Sequence, residues 1–216
     1  MRHDRLGLNK QDSSLLTVQA INSSIIVSTY DRFEHLLAFL DHYGNADLPN
    51  LDAIHVAWGM GAVDPPDSLK VDAYRVPVYL ERASKNSLTE RFKKPEHMRT
   101  EAGLWLDDDI RMEASAVEFA FRAWQEYGRH HHRITGLTQR QYAVQPNGKI
   151  KYIFHQRDYS MVLTNNAFMD VTMLKWFWAA DPRIQAAIKY VDQHMNCEDI
   201  LMNCEQALNP RAMPGY

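Results

Sequence analysis

The first half of the chain alternates short apolar runs with an amphipathic helix, and this order most constrains the fold. SSIIVST (23–29) and AIHVAWG (53–59) are short and apolar, with β-branched residues, which is typical of buried strands. Between them, YDRFEHLLAFLDHYG (30–44) places apolar residues at helical spacing and ends at Gly44, a plausible stop. A strand–helix–strand unit of this kind indicates an α/β fold.

Two further extended runs follow. YRVPVYLE (74–81) contains Pro77, which cannot donate a ladder hydrogen bond, so this run is predicted to be an edge strand. GLWLD (103–107) is the fourth run. The whole order predicts a Rossmann-like, nucleotide-binding α/β fold with a mostly parallel central sheet.

The second half mixes helices with short strands. The predicted elements are a helix at 114–128, a strand at 133–138, a hairpin at 141–154 around Asn147-Gly148, a strand at 159–164 and three helical segments within 165–208. Because no repeat or linker interrupts these elements, we predict one domain, residues 21–216, after a loose polar lead-in at 1–20.

Composition narrows the function classes. The 216 residues are 45% hydrophobic and 24% charged, as in ordinary globular proteins. A net charge of −3 without a long basic run argues against a nucleic-acid or membrane-surface role. The longest apolar stretches are far too short to span a bilayer, and the polar start contains no signal-peptide core.

Three consecutive carboxylates, Asp107, Asp108 and Asp109, follow the fourth strand. If the strand continues, Asp107 and Asp109 share one side and Asp108 faces the other. At the carboxyl end of a parallel strand such a pair faces the crevice where ligands bind, and its oxygens suit Mg²⁺ or Mn²⁺. A solvated turn explains the triplet equally well, so the spacing leaves both interpretations open.

NCEDILMN (196–203) places two acidic residues, Glu198 and Asp199, near a predicted helix start. Carboxylates in this position commonly do no more than complement the helix dipole. The functional alternative is a carboxylate beside a reacting carbon, acting as a base, a nucleophile or a stabiliser of an oxocarbenium-like centre.

Three other polar side chains pose a similar choice. Arg32 follows the first strand, and NSLTERF (86–92) supplies Asn86 and Arg91. Guanidinium and amide groups hold phosphates and nucleotide bases, although each of these residues taken alone is typical of a protein surface.

Taken together and in order, these motifs resemble the exostosin-type glycosyltransferases of glycosyltransferase family 64, which include heparan-sulfate polymerase domains. The motifs are STYDR, KNSLTERF, TEAGLWLDDDIRM, FAFRAW, RITGL, YSMVLTNNAF and NCEDILMN, spread over about residues 23–208. The resemblance implies a GT-A type fold with a metal-binding aspartate motif.

The resemblance also implies roles for individual residues. Asp109 is expected to ligate Mn²⁺, with Mg²⁺ as the alternative, and Asp107 is the second candidate ligand; Asp107 and Asp108 are expected to hold the uridine ribose and the donor sugar. Arg32, Asn86 and Arg91 fall on UDP-contacting positions. Asp199 falls under the anomeric carbon, with Asn196 and Glu198 beside it.

The implied activity is metal-dependent, retaining transfer of a sugar, N-acetylglucosamine first, from a UDP-sugar to a glycan acceptor. The alternative within the family is transfer of a hexose or hexosamine to a glycolipid. Retention leaves two routes open: attack by Asp199, or entry of the acceptor on the face from which UDP leaves. A donor-binding module with little activity of its own, working with a partner glycosyltransferase or as a homo-oligomer, is the alternative. A Mg²⁺-dependent nucleotidyltransferase or phosphohydrolase agrees with the aspartates but leaves NCEDILMN unexplained.

Family members are expected to continue beyond the end of this chain, so residues 21–216 are interpreted as a glycosyltransferase domain shortened at its C-terminus. The resemblance also implies the Golgi or endoplasmic-reticulum lumen, although the chain itself carries no membrane anchor, and the cytoplasm is the alternative location.

Overall fold

The structure is a computed structural model, and it describes residues 22–59, 63–153 and 159–208. The strands are β1 Ser23–Thr29, β2 Leu51–Trp58, β3 Val78–Arg82, β4 Ala102–Asp107, β5 Thr135–Gly136, β6 Gln139–Val144, β7 Ile150–Ile153, β8 Met161–Val162 and β9 Asn166–Asp170. The helices are α1 Phe33–Gly44, α2 Ala114–Ala123, α3 Met173–Phe177, α4 Pro182–His194 and α5 Glu198–Leu208. A π-helical turn, Trp124–Gly128, continues α2, and short 3-10 turns occupy Val71–Ala73, Glu90–Phe92 and Arg129–His131.

The main sheet has six strands in the order β3-β2-β1-β4-β9-β5. β1 pairs in parallel with β2 on one side and with β4 on the other, and β2 pairs in parallel with β3. The chain therefore builds outward from β1 through β2 and β3, and then crosses back to the other side of β1. This reversal between β1 and β4 is a topological switch point, where open α/β sheets bind ligands beyond the carboxyl ends of the strands.

Alternation along the strands divides the core into two layers. Ile25 and Val27 of β1 pack on one face, in the cluster that includes Leu36 and Phe39 of α1. Ile26 faces the opposite side and packs in the cluster that includes residues of α3, α4 and α5. Both faces of β1 are thus buried, which explains why Ile25, Ile26 and Val27 follow one another without the polar alternation of a half-exposed strand. The predicted α/β class with a mostly parallel sheet is confirmed.

Residues 165–208 contain a strand that the sequence pattern did not predict. Asn166–Asp170 forms β9, which pairs antiparallel with β4 and lies in the interior of the sheet; the three predicted helices follow it as α3, α4 and α5. A five-residue segment with polar ends carries little strand signal, and β4 supplies the hydrogen-bonding partners that make it a strand.

Other element boundaries are shorter than predicted. The third strand begins at Val78, just after Pro77, and lies at the sheet edge as expected. The run at 133–138 contributes only β5, and the run at 159–164 contributes only β8. The predicted hairpin is present as β6 and β7, with Gly148 at a φ of 77° in its turn, where glycine has no steric cost.

β6 also pairs with β8, which makes a small three-stranded sheet in the order β7-β6-β8. The predicted lead-in at 1–20 lies outside the described residues. In the part of the chain that the structure describes, no helix is both long and apolar enough to cross a membrane. The extent of the domain remains a prediction.

Candidate active site

An open cleft of about 290 Å³ lies at the switch point of the sheet. Its walls come from the end of β1, from the loop between β3 and β4, from the end of β4 and from the junction of α4 and α5. The lining residues are Ser28, Thr29, Tyr30, Arg32, Ala57, Gly59, Ala83, Asn86, Ser87, Leu88, Glu90, Arg91, Asp107, Met195 and Glu198. Five of the nine residues singled out in the sequence therefore line one cleft: Arg32, Asn86, Arg91, Asp107 and Glu198. The other four, Asp108, Asp109, Asn196 and Asp199, are not among its lining residues.

Asp107 ends β4 beside Ser28 of β1 and is held by Arg91. Arg91 Nη1 donates to Asp107 Oδ1 at 2.6 Å, and the arginine side chain is only 5% exposed. The backbone carbonyl of Arg91 accepts from Trp105 Nε1 at 2.8 Å, which fixes the arginine against the sheet. A charge-assisted bond between a buried guanidinium and a half-buried carboxylate is geometrically specific.

The other two carboxylates share Arg32. Arg32 Nη2 lies 2.5 Å from Asp108 Oδ1, and Nη1 donates to Asp109 Oδ2 at 3.3 Å. Asp108 is fully buried, and burial raises its pKa, while Arg32 opposes that rise. Each of the three carboxylates contacts a guanidinium group, which offsets part of their mutual repulsion.

The prediction that Asp107 and Asp109 share one side of a strand does not apply, because β4 ends at Asp107. Asp108 and Asp109 lie in the turn that follows. Asp108 points into the interior, whereas Asp107 and Asp109 keep 34% and 47% of their side chains exposed. The two predicted metal ligands are thus the two accessible carboxylates of the triplet.

Asp107 and Asp109 fit a hard divalent cation such as Mn²⁺ or Mg²⁺, which accepts carboxylate oxygens and completes its shell with phosphate oxygens and water. Within the described residues, no group of three histidine, cysteine or acidic side chains is arranged to hold a metal. A cation bound here would therefore depend on oxygens from a ligand as well as from the protein.

Several buried polar atoms of the cleft lack protein partners. Arg91 Nε and Nη2 and the Ser28 hydroxyl have none among the described residues. A buried donor without an acceptor costs about 1–3 kcal/mol, so such atoms indicate a place where a polar ligand binds. Guanidinium donors select anionic oxygen ligands, phosphates above all.

Asn86 lines the same cleft and is exposed, in the loop that leads to the 3-10 turn Glu90–Phe92. The base of this loop is closed by the buried Glu90, whose carboxylate accepts from the Ser84 amide at 2.8 Å and pairs with Lys93 at 2.6 Å. The loop therefore presents Asn86 and Arg91 together, as their common motif predicted.

Asn196 precedes α5 in a strained connection. Met195 and Cys197 have φ values of 48° and 76°, in the left-handed region that residues with side chains seldom adopt. The Asn196 side chain bridges this turn, because its Oδ1 accepts from the Cys197 amide at 2.7 Å. The tight turn brings Met195 and Glu198 into the wall of the cleft.

Glu198 and Asp199 begin α5 but face different surroundings. Burial raises the pKa of Glu198, Asp199 adds to the rise, and Arg91 acts in the opposite direction. Asp199 Oδ1 accepts from both the amide and the hydroxyl of Thr164, at 2.7 and 2.5 Å. Of the two carboxylates, Glu198 is the one that lines the cleft, and Asp199 is the one whose orientation is fixed.

Sequence reasoning missed the residues that support the site. Thr164 orients Asp199, and Asn203 ties α5 to β8 through two hydrogen bonds with Val162, at 2.8 and 3.0 Å. Single polar residues of this kind have no distinctive spacing. The one sequence signal is their place in the motifs: Thr164 directly precedes NNAF, and Asn203 is the last residue of NCEDILMN.

A search against family models matches residues 23–212 to the glycosyl transferase family 64 domain. Among curated proteins, glucosamine inositolphosphorylceramide transferase 1 of Arabidopsis thaliana is 33% identical, over 83% of this chain and 23% of its own. Human exostosin-2 is 34% identical, over 88% of this chain and 26% of its own. The chain thus spans about a quarter of the length of these relatives, and 62% of human exostosin-like 2, to which it is 28% identical.

Solved structures of the S. aureus protein TarS, residues 1–349, also match, including the complex with UDP-GlcNAc. The match to that complex covers 72% of this chain and 47% of the TarS chain, with a TM-score of 0.47 and 16% identity. At this level of similarity nothing about ligands transfers between the two proteins.

Proposed function

The chain belongs to glycosyltransferase family 64, and from that premise we propose that it binds a UDP-sugar in the switch-point cleft and transfers the sugar to a glycan or glycolipid acceptor. One observation carries this proposal. The cleft brings Arg32, Arg91 and Asp107 together with Glu198 at the start of α5, and Arg32 also contacts Asp108 and Asp109. Anion-binding and acidic groups therefore line one space large enough for part of a nucleotide.

The diphosphate would be held by cationic side chains. Arg91 has two buried nitrogens without a partner among the described residues, and Arg32 is 47% exposed at the mouth of the cleft. Arg32 also directly precedes α1, whose N-terminal amides favour anions. Asn86 supplies amide groups that suit the uracil or the ribose.

Mn²⁺, or Mg²⁺ in its place, would be held by Asp109 and Asp107 and would neutralise charge on the departing UDP. The arginines that now pair with these carboxylates are then free to contact phosphate oxygens. Exchange of partners of this kind would give the carboxylates the cation, and the arginines the phosphate oxygens, as oppositely charged partners.

Asp199 is the proposed carboxylate at the anomeric carbon, with Glu198 and Asn196 as its neighbours. Thr164 leaves Asp199 Oδ2 without a hydrogen bond in the described part of the chain, while it fixes the group through Oδ1. A carboxylate held in this way is suited to two retaining routes. In one it displaces UDP from the anomeric carbon and is itself displaced by the acceptor hydroxyl; in the other it stabilises positive charge on the sugar while the acceptor enters on the face from which UDP leaves.

We propose N-acetylglucosamine as the first donor sugar to test, and the relative named as a glucosamine inositolphosphorylceramide transferase supports an amino sugar. The names of the relatives include both exostosins and a ceramide transferase, so both glycan and glycolipid acceptors belong in the assay. By the same kinship we propose that the chain works in the lumen of the Golgi or endoplasmic reticulum.

The decisive experiment titrates UDP by calorimetry with and without Mn²⁺, and then assays turnover of UDP-N-acetylglucosamine by wild type and Asp199→Asn. We expect Mn²⁺-dependent UDP binding that Asp109→Ala abolishes, and turnover that Asp199→Asn abolishes. Binding of UDP that Asp109→Ala leaves unchanged would contradict the proposal.

A second candidate is a donor-binding module that transfers sugar only within a larger assembly. The same experiment separates the two functions, since a module binds UDP with Mn²⁺ but releases no sugar. A phosphohydrolase would instead hydrolyse simple nucleoside triphosphates without a preference for uridine.

A further inference from the structure

One carboxylate joins α4 to the loop that presents Asn86. Asp192, in the last turns of α4, contacts Lys85 Nζ and Ser87 Oγ, and its Oδ1 accepts from Thr89 Oγ1 at 3.0 Å. The hydroxyls of Ser87 and Thr89 lie 2.8 Å apart, and the Thr89 amide donates to Ser87 Oγ at 3.0 Å. The side chains of Lys85, Ser87 and Thr89 therefore all contact the carboxylate of Asp192.

These contacts are sheltered from water. Thr89 is fully buried, and the Asp192 side chain is only 21% exposed. Burial favours the neutral carboxyl, but the hydrogen bonds from Lys85, Ser87 and Thr89 outweigh it and lower the pKa of Asp192. The junction therefore has an ionised acceptor and three donors, and loss of Asp192 would leave the two neighbouring hydroxyls of Ser87 and Thr89 with one acceptor fewer.

Asp192 lies next to the wall of the cleft. Met195, three residues further along and directly after the end of α4, lines the cleft, and Glu198 lines it from the start of α5. Asn86, Ser87 and Leu88 line the cleft from the loop. Asp192 thus connects the part of the wall that faces the nucleotide to the part that carries the acidic residues.

Resting on the proposed function, we propose that Asp192 is a positioning residue for sugar transfer. It holds the loop of residues 85–89 against the end of α4 and so sets the separation between the nucleotide contacts and the carboxylates at the start of α5. The base of the loop is closed independently by Glu90, which bonds Ser84 and Lys93. Loss of Asp192 is therefore expected to release the tip of the loop while its base stays folded.

The test compares Asp192→Ala and Asp192→Asn with Asp181→Ala. Asp181 caps the opposite end of α4, where it accepts from the Arg183 amide at 2.8 Å, so its loss weakens the same helix without touching the loop. We expect Asp192→Ala to weaken UDP binding about tenfold or more, to raise KM and to lower kcat. Asp192→Asn keeps an acceptor for the hydroxyls and is expected to lose less.

Asp181→Ala is expected to lower Tm by about as much as Asp192→Ala does. Its UDP affinity, KM and kcat are expected to stay within about twofold of wild type. Equal losses of affinity in Asp181→Ala and Asp192→Ala would overturn the positioning role. If Asp192→Ala does not fold, Asp192→Asn and Lys85→Met carry the same comparison, since each removes the ion pair and leaves the hydroxyls an acceptor.

Hydrogen exchange separates this inference from the proposed function, because it needs no ligand. In the UDP-free protein, the amides of residues 85–89 are expected to exchange faster in Asp192→Ala than in wild type or Asp181→Ala. If wild type binds no UDP, the proposed function fails, and the exchange rates still decide whether Asp192 holds the loop. Unchanged exchange in Asp192→Ala would overturn the inference even where UDP binds.

Discussion

Asp107 Oδ1 and Arg91 Nη1 lie 2.6 Å apart. The last residue of β4 is thus paired with an arginine 16 residues earlier, in the connection between β3 and β4. The pair joins a half-buried carboxylate to an arginine that is 5% exposed. Because the remaining guanidinium nitrogens have no partner in the described part of the chain, Arg91 has capacity for a second anion. The pair therefore belongs both to the stability of the fold and to the chemistry of the cleft.

Arg91→Met tests both roles. Removal of the buried guanidinium leaves Asp107 without its partner, and we expect a loss of about 1–3 kcal/mol in the free energy of unfolding and about tenfold or more in UDP affinity. The measurements are urea unfolding and calorimetry. Arg129→Met is the matched control, since Arg129 pairs at 2.9 Å with Glu101, which does not line the cleft. A similar loss of UDP affinity in both variants would contradict a direct role of Arg91 in UDP binding.

Mn²⁺ and UDP are expected to strengthen each other's binding. Since the described residues offer the accessible pair Asp107 and Asp109 and no group of three ligands, Mn²⁺ alone should bind weakly. We expect saturating UDP to tighten Mn²⁺ binding about tenfold or more, and Mn²⁺ to tighten UDP binding by the same factor. Asp109→Asn should reduce this coupling in calorimetric titrations, whereas Asp72→Asn, at an exposed position outside the cleft, should retain it.

The two carboxylates at the start of α5 are expected to affect different kinetic parameters, which a comparison of Asp199→Asn with Glu198→Gln would show. The amide oxygen of the substituted side chain can still accept from Thr164, so Asp199→Asn should fold with nearly unchanged stability but lose about 100-fold or more in kcat. Glu198 lines the cleft, so its variant is expected to change KM more than kcat. Turnover of the UDP-sugar, with UDP affinity measured in parallel, checks both expectations. A larger loss of kcat in Glu198→Gln would transfer the catalytic role to Glu198.

The strands that were predicted well are those whose own sequence contains an apolar run that indicates burial. β1 and β4 contain the consecutive apolar runs 25–27 and 104–106, because both faces of the sheet are covered there. β9 was missed because Asn166 and Asp170 flank only three apolar residues, and its strand conformation depends on pairing with β4. Tertiary pairing of this kind leaves little trace in a single short segment.

The site was predictable as a set of residues but not as a set of contacts. The ordered motifs identified Arg32, Arg91 and the aspartates, and the structure brings them to one cleft. Which arginine neutralises which aspartate depends on the crossing from β1 to β4, since Arg32 is 77 residues from Asp109. Asp192 and Thr164 were not identified, because an isolated polar residue on a helix or in a loop is typical of a solvated surface.

The stability of the fold should also depend on His55, a buried histidine in β2. His55 is 1% exposed, its Nδ1 lies 3.5 Å from Glu81 Oε1, and its ring stacks on Tyr79 with centroids 5.4 Å apart. Burial lowers the pKa of His55 below its ordinary value, and Glu81 opposes the shift without reversing it. The neutral imidazole is therefore the form that the fold favours.

The sign of the pH dependence follows from this direction. As the pH falls below about 6.5, the unfolded chain binds a proton on His55 before the folded protein does, so the free energy of unfolding decreases. This stability is fully present above about pH 6.5 and is lost toward the lowered pKa, with a slope of at most about 1.4 kcal/mol per pH unit. We expect His55→Phe to flatten this slope between about pH 7 and 5 in urea unfolding. Glu81→Gln removes the group that favours protonation of His55, so the loss of stability should extend to lower pH. Parallel plots of the free energy of unfolding against pH for wild type and His55→Phe would contradict the role given to His55.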